Sequence, residues 1–388
     1  MICGKIFYKG KLVEAGIEVE EGIIKNIGKD VKGRRVRGLI LPAAIDVHVH
    51  FRDFKEKHKE TIESGSLSAL HGGVCLVVDQ PNTNPVVDDY EIYEKRMRIA
   101  KKRSYVDYTL NLALTNRNVK RIERIVEKIE KNYQLPAIGE VFIQHDNDDL
   151  QIDYEKLEET RINKLITIHA EDPKFVKKGS PNFRYRLPLA EIEAVKKCLQ
   201  IGKYHFCHIS TFDALKMVSR TNSTCEVTTH HLLLSEEDYG RLNGLINVNP
   251  PLRGKNEVEK LLNNIQLADV IASDHAPHTI EEKKNGVAGF PGVETLYPLM
   301  MNLVVKGILS LNTLIERIAI NPAKIFGFKR YGEIEVGNYA NFTVFNLKKI
   351  EKISVNKLHS KANWTPYEGF DAVFPEEVYV KGTLYRCS

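Results

Sequence analysis

The feature that most constrains this chain is an eightfold alternation of apolar, strand-like runs with helical patterns across residues 44–332. The runs are Ala44–Phe51, Val74–Gln80, Val106–Ala113, Ala137–Ile143, Leu165–His169, Tyr204–His208, Thr224–Thr229 and Val270–Asp274. Most connections carry a helical pattern, as in Glu91–Lys102, Arg117–Lys131 and Leu189–Ile201. Apolar strands separated by helices argue for a parallel sheet. Eight such units in this length favour an α/β chain closed as a (β/α)8 barrel over an open sheet. The ends read differently. Lys5–Tyr8, Leu12–Val19 and Ile23–Ile27 are short strand patterns punctuated by glycines, and Glu333–Val336, Asn341–Phe345 and Val378–Tyr385 repeat that texture. We therefore expect residues 1–43 and 333–388 to assemble one small β domain beside a barrel spanning 44–332.

Composition narrows the function classes. Apolar residues make up 43% and charged residues 28% of the 388, which suits a folded chain with a large core and excludes a disordered, collagenous or coiled-coil one. A formal net charge of +5 is too small to argue for nucleic acid. The longest clean apolar run, Leu39–Ile45, is broken by Pro42, so no membrane helix is expected. The first residues lack a basic region followed by an apolar stretch, so no signal peptide is expected either. The six cysteines form no C-x-x-C pair and read as reduced core thiols of a cytoplasmic protein.

The chemistry concentrates at the ends of the strand runs. Asp46-Val-His48-Val-His50-Phe-Arg52 places two imidazoles at i and i+2, and alternation turns both to one side of a strand. One such pair occurs by chance in a chain with 13 histidines. Here, however, His169 ends the run Leu165–Ile168, His208 ends the run from Tyr204, and Asp274 ends Val270–Ser273. In a barrel, these positions lie on the C-terminal rim where active sites are built. Imidazole and carboxylate donors without cysteine suit Zn²⁺ in a catalytic site with open positions.

These motifs resemble the amidohydrolase superfamily of metal-dependent barrels and, within it, the dihydroorotases. The resemblance covers nearly the whole chain. It includes Asp46–Arg52, Lys59-Glu-Thr, Pro81-Asn82-Thr83, His169-Ala-Glu-Asp, Arg186–Glu191, His208-Ile-Ser-Thr, His230-His231-Leu, Asn249-Pro-Pro-Leu-Arg253, Asp274–His278 and Gly289–Glu294. H-x-H and the aspartate fix only the superfamily. Arg52, Pro-Asn-Thr and Asn-Pro-Pro-Leu-Arg are more specific to dihydroorotases.

The resemblance implies reversible cyclisation of N-carbamoyl-L-aspartate to L-dihydroorotate in pyrimidine biosynthesis. It implies zinc, one or two ions with two favoured, held by His48, His50, His169, His208 and Asp274, with Asp274 also moving the proton. Arg52, Asn82 and His278 would hold the substrate carboxylate, and Asn249 would read the ring. An arginine fork suits that anion on physical grounds. The expected partner is a small-molecule substrate, with neither nucleic acid nor membrane, and a homo-oligomer is left open.

Three departures stand out. Asp53-Phe54 replaces the usual Pro-Gly, and Gln80 replaces a common Met. Glu140 stands where many relatives carry a carboxylated lysine bridging two metals. We expect Glu140 to be the fourth-strand ligand, with Asp146 in the acidic stretch as the alternative. Residues 279–294 read as a loop that closes over substrate or as an ordinary surface excursion. Competing readings are a hydantoinase- or allantoinase-like cyclic amidase, which would match less well at Arg52 and Pro-Asn-Thr. A metal-free scaffold is the other, but it would typically lose the H-x-H or the aspartate.

Overall fold

A computed structural model describes residues 1–160, 162–180 and 182–387; Ser388, the end of the expected β domain, lies outside the described residues. Strands β1 (Ile2–Tyr8), β2 (Lys11–Glu20), β3 (Ile23–Gly28) and β4 (Arg34–Pro42) come first. Then follow β5 (Ala44–Val49), β6 (Val74–Asp79), β7 (Asp107–Leu110), β8 (Ile138–Phe142), β9 (Ile166–His169), β10 (His205–Phe206), β11 (Thr224–Thr228) and β12 (Val270–Ala272). The chain ends with β13 (Phe342–Phe345), β14 (Glu351–Lys352), β15 (Asp371–Ala372), β16 (Pro375–Val380) and β17 (Thr383–Arg386).

Strands β5 to β12 are the eight expected runs, trimmed at their ends. Pairing is parallel from β5 to β7 and from β8 to β12. Parallel bridges Leu112–Ile138 and Val49–His275 join the two arcs, so the strands close into a barrel in chain order. The helical patterns fall on its outside. Asp89 caps the helix Tyr90–Arg103 by accepting from the amides of Glu91 and Ile92. Ile122–Glu130 buries Ile122, Ile125, Val126 and Ile129, the stripe a 3.6-residue period produces. Pro188 opens Pro188–Ile201, where its missing N–H costs nothing.

Both termini build one sheet in the order β17-β16-β13-β4-β1-β2-β3. Strand β13 lies antiparallel to β4, with Ile6, Ile17, Ile40, Phe342 and Val344 in its core. Glu333–Val336 is not the expected strand. The Glu335 carbonyl accepts from the Asn338 amide and Gly337 turns with φ 91°, so this stretch is a tight turn with Val336 exposed. No helix among the described residues is long and apolar enough to cross a membrane. The cysteines are free thiols, four of them buried.

One buried network ties the first helical layer to the barrel rim. Arg96 is fully buried, and its guanidinium donates to Asp79 (Nε–Oδ2 2.9 Å) and to the Arg52 carbonyl (2.8 Å). The Tyr108 hydroxyl donates to the same Asp79 oxygen, and Asp79 Oδ1 accepts from the Phe51 amide at 2.9 Å. Burial penalises the Arg96 charge, but Asp79 and Tyr108 more than restore it. Removing one partner of such a pair leaves a buried, uncompensated charge. Arg96→Met should therefore destabilise the fold by about 3–5 kcal/mol, read by chemical denaturation. A loss below about 1 kcal/mol would mean that Asp79 is compensated elsewhere.

Candidate functional site

A cavity of about 190 Å³ opens at the C-terminal ends of the barrel strands. Its walls include His50, Arg52, Asn82, Glu140, His169, His208, Asn249, Asp274 and His278, every site residue the sequence nominated except His48. His48 lies beneath it, fully buried.

The histidines are held by partners that select which ring nitrogen faces inward. His48 Nδ1 meets Glu226 Oε1 at 2.5 Å, which leaves Nε2 with no hydrogen-bond partner, 3.5 Å from both Glu140 Oε2 and Asp274 Oδ1. His50 Nδ1 meets Asn82 Oδ1 at 2.8 Å, and its Nε2 lies 3.1 Å from Asp274 Oδ1. His169 Nε2 meets Glu171 Oε2 at 2.7 Å, so Nδ1 faces Glu140 Oε1 at 3.0 Å. His208 Nε2 reaches the same Glu140 oxygen at 2.7 Å. Orienting an imidazole through its far nitrogen is how proteins aim metal-binding histidines. Two sets of donor atoms result: His48, His50 and Asp274, and His48, Glu140 and His208, each gathered within 4.8 Å.

Glu140 stands on β8 in the cavity wall, and the glycine before it packs closely against the next strand. A Cβ on Gly139 would fall 2.2 Å from Thr167 Oγ1, so only glycine admits β8 that near to β9. Asp146 also lines the cavity, but its Oδ1 accepts from the Gly179 amide and it joins neither donor set.

The electrostatics follow from crowding opposite charges in a dry place. For Glu140, burial raises the pKa, but His48, His169 and His208 outweigh it and hold the carboxyl well below its usual range. Asp274 behaves alike: burial opposes ionisation, and His48, His50 and His208 overcome it. Burial disfavours the His48 cation, yet Glu226, Glu140 and Asp274 push its pKa well above the ordinary value.

Arg52 enters from the opposite wall, buried, with Nε donating to the Pro277 carbonyl at 3.2 Å. His278 supports it. Burial and then Arg52 lower the His278 pKa to about 3, so the ring is neutral; its Nε2 accepts from Arg52 at 2.9 Å while Nδ1 faces Glu282. With both nitrogens engaged, His278 aims Arg52, which refines the expectation that it touches the substrate directly. The Asn82 side-chain oxygen engages His50, and its amide nitrogen is the group that could donate to an anion.

Residues 279–294 hold a short helix, Ile280–Lys284, capped by Thr279. The buried Lys283 donates to the Asn247 carbonyl between the rings of Phe290 and Trp364, and Ala288 and Gly289 line the cavity. The departures at 53 and 80 are structural. Asp53 accepts from the amides of Phe54 and Ile62, and Gln80 bonds the Val47 carbonyl inside the barrel. Sequence reasoning missed Glu226, and it named Glu171 and Arg186 only within motifs, without the supporting role in which Arg186 donates to Glu171. A charge inside the apolar run Thr224–Thr229 was the available signal for Glu226.

A model of the amidohydrolase family matches residues 39–384. A dihydroorotase of Archaeoglobus fulgidus is 63% identical over 385 residues, covering 98% of this chain and 96% of that protein. A dihydroorotase of Pyrococcus furiosus is 39% identical, covering 95% and 87%. Among solved structures, L-hydantoinase (dihydropyrimidinase) from Arthrobacter aurescens superposes with a TM-score of 0.91 at 23% identity, covering 99% of this chain and 95% of that one. This last likeness speaks for the shared barrel-and-sheet fold. With a family match spanning the whole barrel and identities of this size along nearly the full length, the chain belongs to the amidohydrolase family and, within it, to the dihydroorotases.

Proposed function

We propose that the chain is a zinc-dependent dihydroorotase that interconverts N-carbamoyl-L-aspartate and L-dihydroorotate. The observation that carries this reading is the buried pair of donor sets sharing His48, facing an arginine held ready for a carboxylate across one small cavity. The donor chemistry fits a metal: His48 Nε2 is buried without a hydrogen-bond partner, and the far nitrogens of His48, His50 and His169 are already fixed. His48, His50 and Asp274 would hold one ion, and Glu140 and His208 a second beside His48, with His169 joining them through the same Glu140 oxygen. Bound there, zinc would polarise the ring carbonyl and lower the pKa of the attacking water.

The remaining work falls to the chain's own residues. Arg52 binds the substrate carboxylate bidentately, steadied by His278 and the Pro277 carbonyl. Asn249 contacts the ring. In hydrolysis, the water oxygen bonds to the ring carbonyl carbon while Asp274 takes the water's proton. The carbon–nitrogen bond then breaks and Asp274 returns that proton to the departing nitrogen. Ring closure runs the same transfers backwards, which one carboxylate can serve in both directions. Uncharged cyclic imides, the substrates of a hydantoinase-like enzyme, would leave Arg52 buried without an anion.

Three outcomes are expected. Asp274→Asn should remain folded and lose turnover by about 100- to 10,000-fold, measured as carbamoyl aspartate cyclisation; near-normal rates in folded protein would assign the proton to another group. A chelator should abolish the same activity, and metal analysis should find one or two ions per chain fewer in Glu140→Ala than in wild type, out of the two this centre would hold. An unchanged count in that variant would promote Asp146. Arg52→Ala should erase the preference for dihydroorotate over an uncharged cyclic imide. Arg52→Lys should also be impaired, because an ammonium cannot reproduce the fork.

A further inference from the structure

A second group of metal-type donors lies away from the catalytic cavity. His71 is the last residue of the helix Ile62–His71, Glu294 follows the last barrel strand, and His359 belongs to the segment that returns from the terminal sheet. One donor atom from each of the three lies within 4.8 Å of the others. The two imidazoles stack with centroids 3.8 Å apart and planes 25° from parallel. Glu294 is buried and accepts from the His359 backbone amide at 2.8 Å and faces its Nδ1 at 2.7 Å. These residues open into their own cavity of about 540 Å³, also lined by Cys387.

We propose that His71, Glu294 and His359 form a second, non-catalytic site for Zn²⁺ or a similar divalent transition ion. Two imidazoles and one carboxylate are a donor set such ions favour, and three protein ligands leave positions for water or a further donor. Donors around one tetrahedral zinc stand about 3.4 Å apart, so the cluster needs only small side-chain shifts to close on an ion. The lysines of the cavity wall each face a carboxylate, Lys349 and Lys357 sharing one, so part of the positive charge an ion would meet is offset. Lys349 and Lys357 pair with Glu351 at 3.3 and 3.1 Å, and Lys352 with Asp371 at 2.7 Å. The ligands come from three segments far apart in sequence, so an ion here clips the first barrel helix, the loop after the last barrel strand and the C-terminal segment together. An ion that binds only the folded chain stabilises it by mass action.

The test is a Co²⁺ titration of chelator-stripped protein, read by the ligand-field spectrum and by metal analysis. We compare wild type with His71→Asn and His359→Gln, which remove a ligand without emptying its volume. Wild type should bind one equivalent more than either variant, and its unfolding temperature should rise with Zn²⁺ more than theirs. Both variants should keep wild-type turnover. Equal metal counts in a folded variant and wild type would overturn the site. The metal count stands apart from the catalytic assignment: absence of cyclisation activity would sink the proposed reaction and leave the comparison of equivalents intact.

Discussion

The site depends on the seam where the barrel's first and last strands meet. The Asp46 carboxylate accepts from the amides of His48 (3.2 Å) and Ser273 (3.1 Å), and the His50 amide donates to the His275 carbonyl at 2.7 Å. The bonds to Ser273 and His275 join residues more than 220 positions apart. They bring His48 and His50 of one strand against Asp274 of the other, and without them there is no common centre. Asp46 is wholly buried, and burial lifts its pKa to about 6 despite the hydrogen bonds from Ser273 and His48. A group that strained is retained because it fixes the register of the seam, which an apolar residue could not do.

A second layer then decides what the gathered donors can bind. Glu226, Asn82 and Glu171 each take one nitrogen of a histidine and leave the other pointing at Glu140 or Asp274. Glu226 also faces His205, and Glu171 is paired with Arg186, so the supporting carboxylates are themselves compensated. This is what a dry site with many charges requires, since an unpaired buried charge costs several kcal/mol. The same logic explains His278, whose neutral ring accepts from Arg52 because burial, and then Arg52 itself, keep a proton off that nitrogen.

Much of this was legible in the sequence because barrel chemistry sits at strand ends, and strand ends are local signals. His169, His208 and Asp274 each terminate an apolar run, and H-x-H survives any error of a residue or two in the boundaries. The supporting layer was not legible. Glu226 and His48 are 178 residues apart, and Arg96 and the Arg52 carbonyl 44 apart, so no window of sequence contains either pair. Glu333–Val336 misled for the opposite reason. Its alternation is a real strand pattern, overridden by a turn around Gly337 that the pattern does not register.

Alternation also failed where function begins, and the reason is physical. Asp46, His48, His50 and Arg52 share a period of two, which predicts one continuous face. The strand instead stops at Val49, and Arg52, Asp53 and Phe54 take φ of 48°, 54° and 45°. His208 (34°) and Asp274 (45°) do the same at the ends of their own strands. Residues with side chains adopt this left-handed region at a cost, and they hold it only when their surroundings impose it. For Arg52, the imposing partners are visible: Arg96 grips its carbonyl, Asp79 holds the preceding amide, and His278 takes its guanidinium. A regular strand would have carried Arg52 up the wall above His50. The enforced turn instead brings its guanidinium to the Pro277 carbonyl and His278, in the wall of the same cavity as His50 and Asp274.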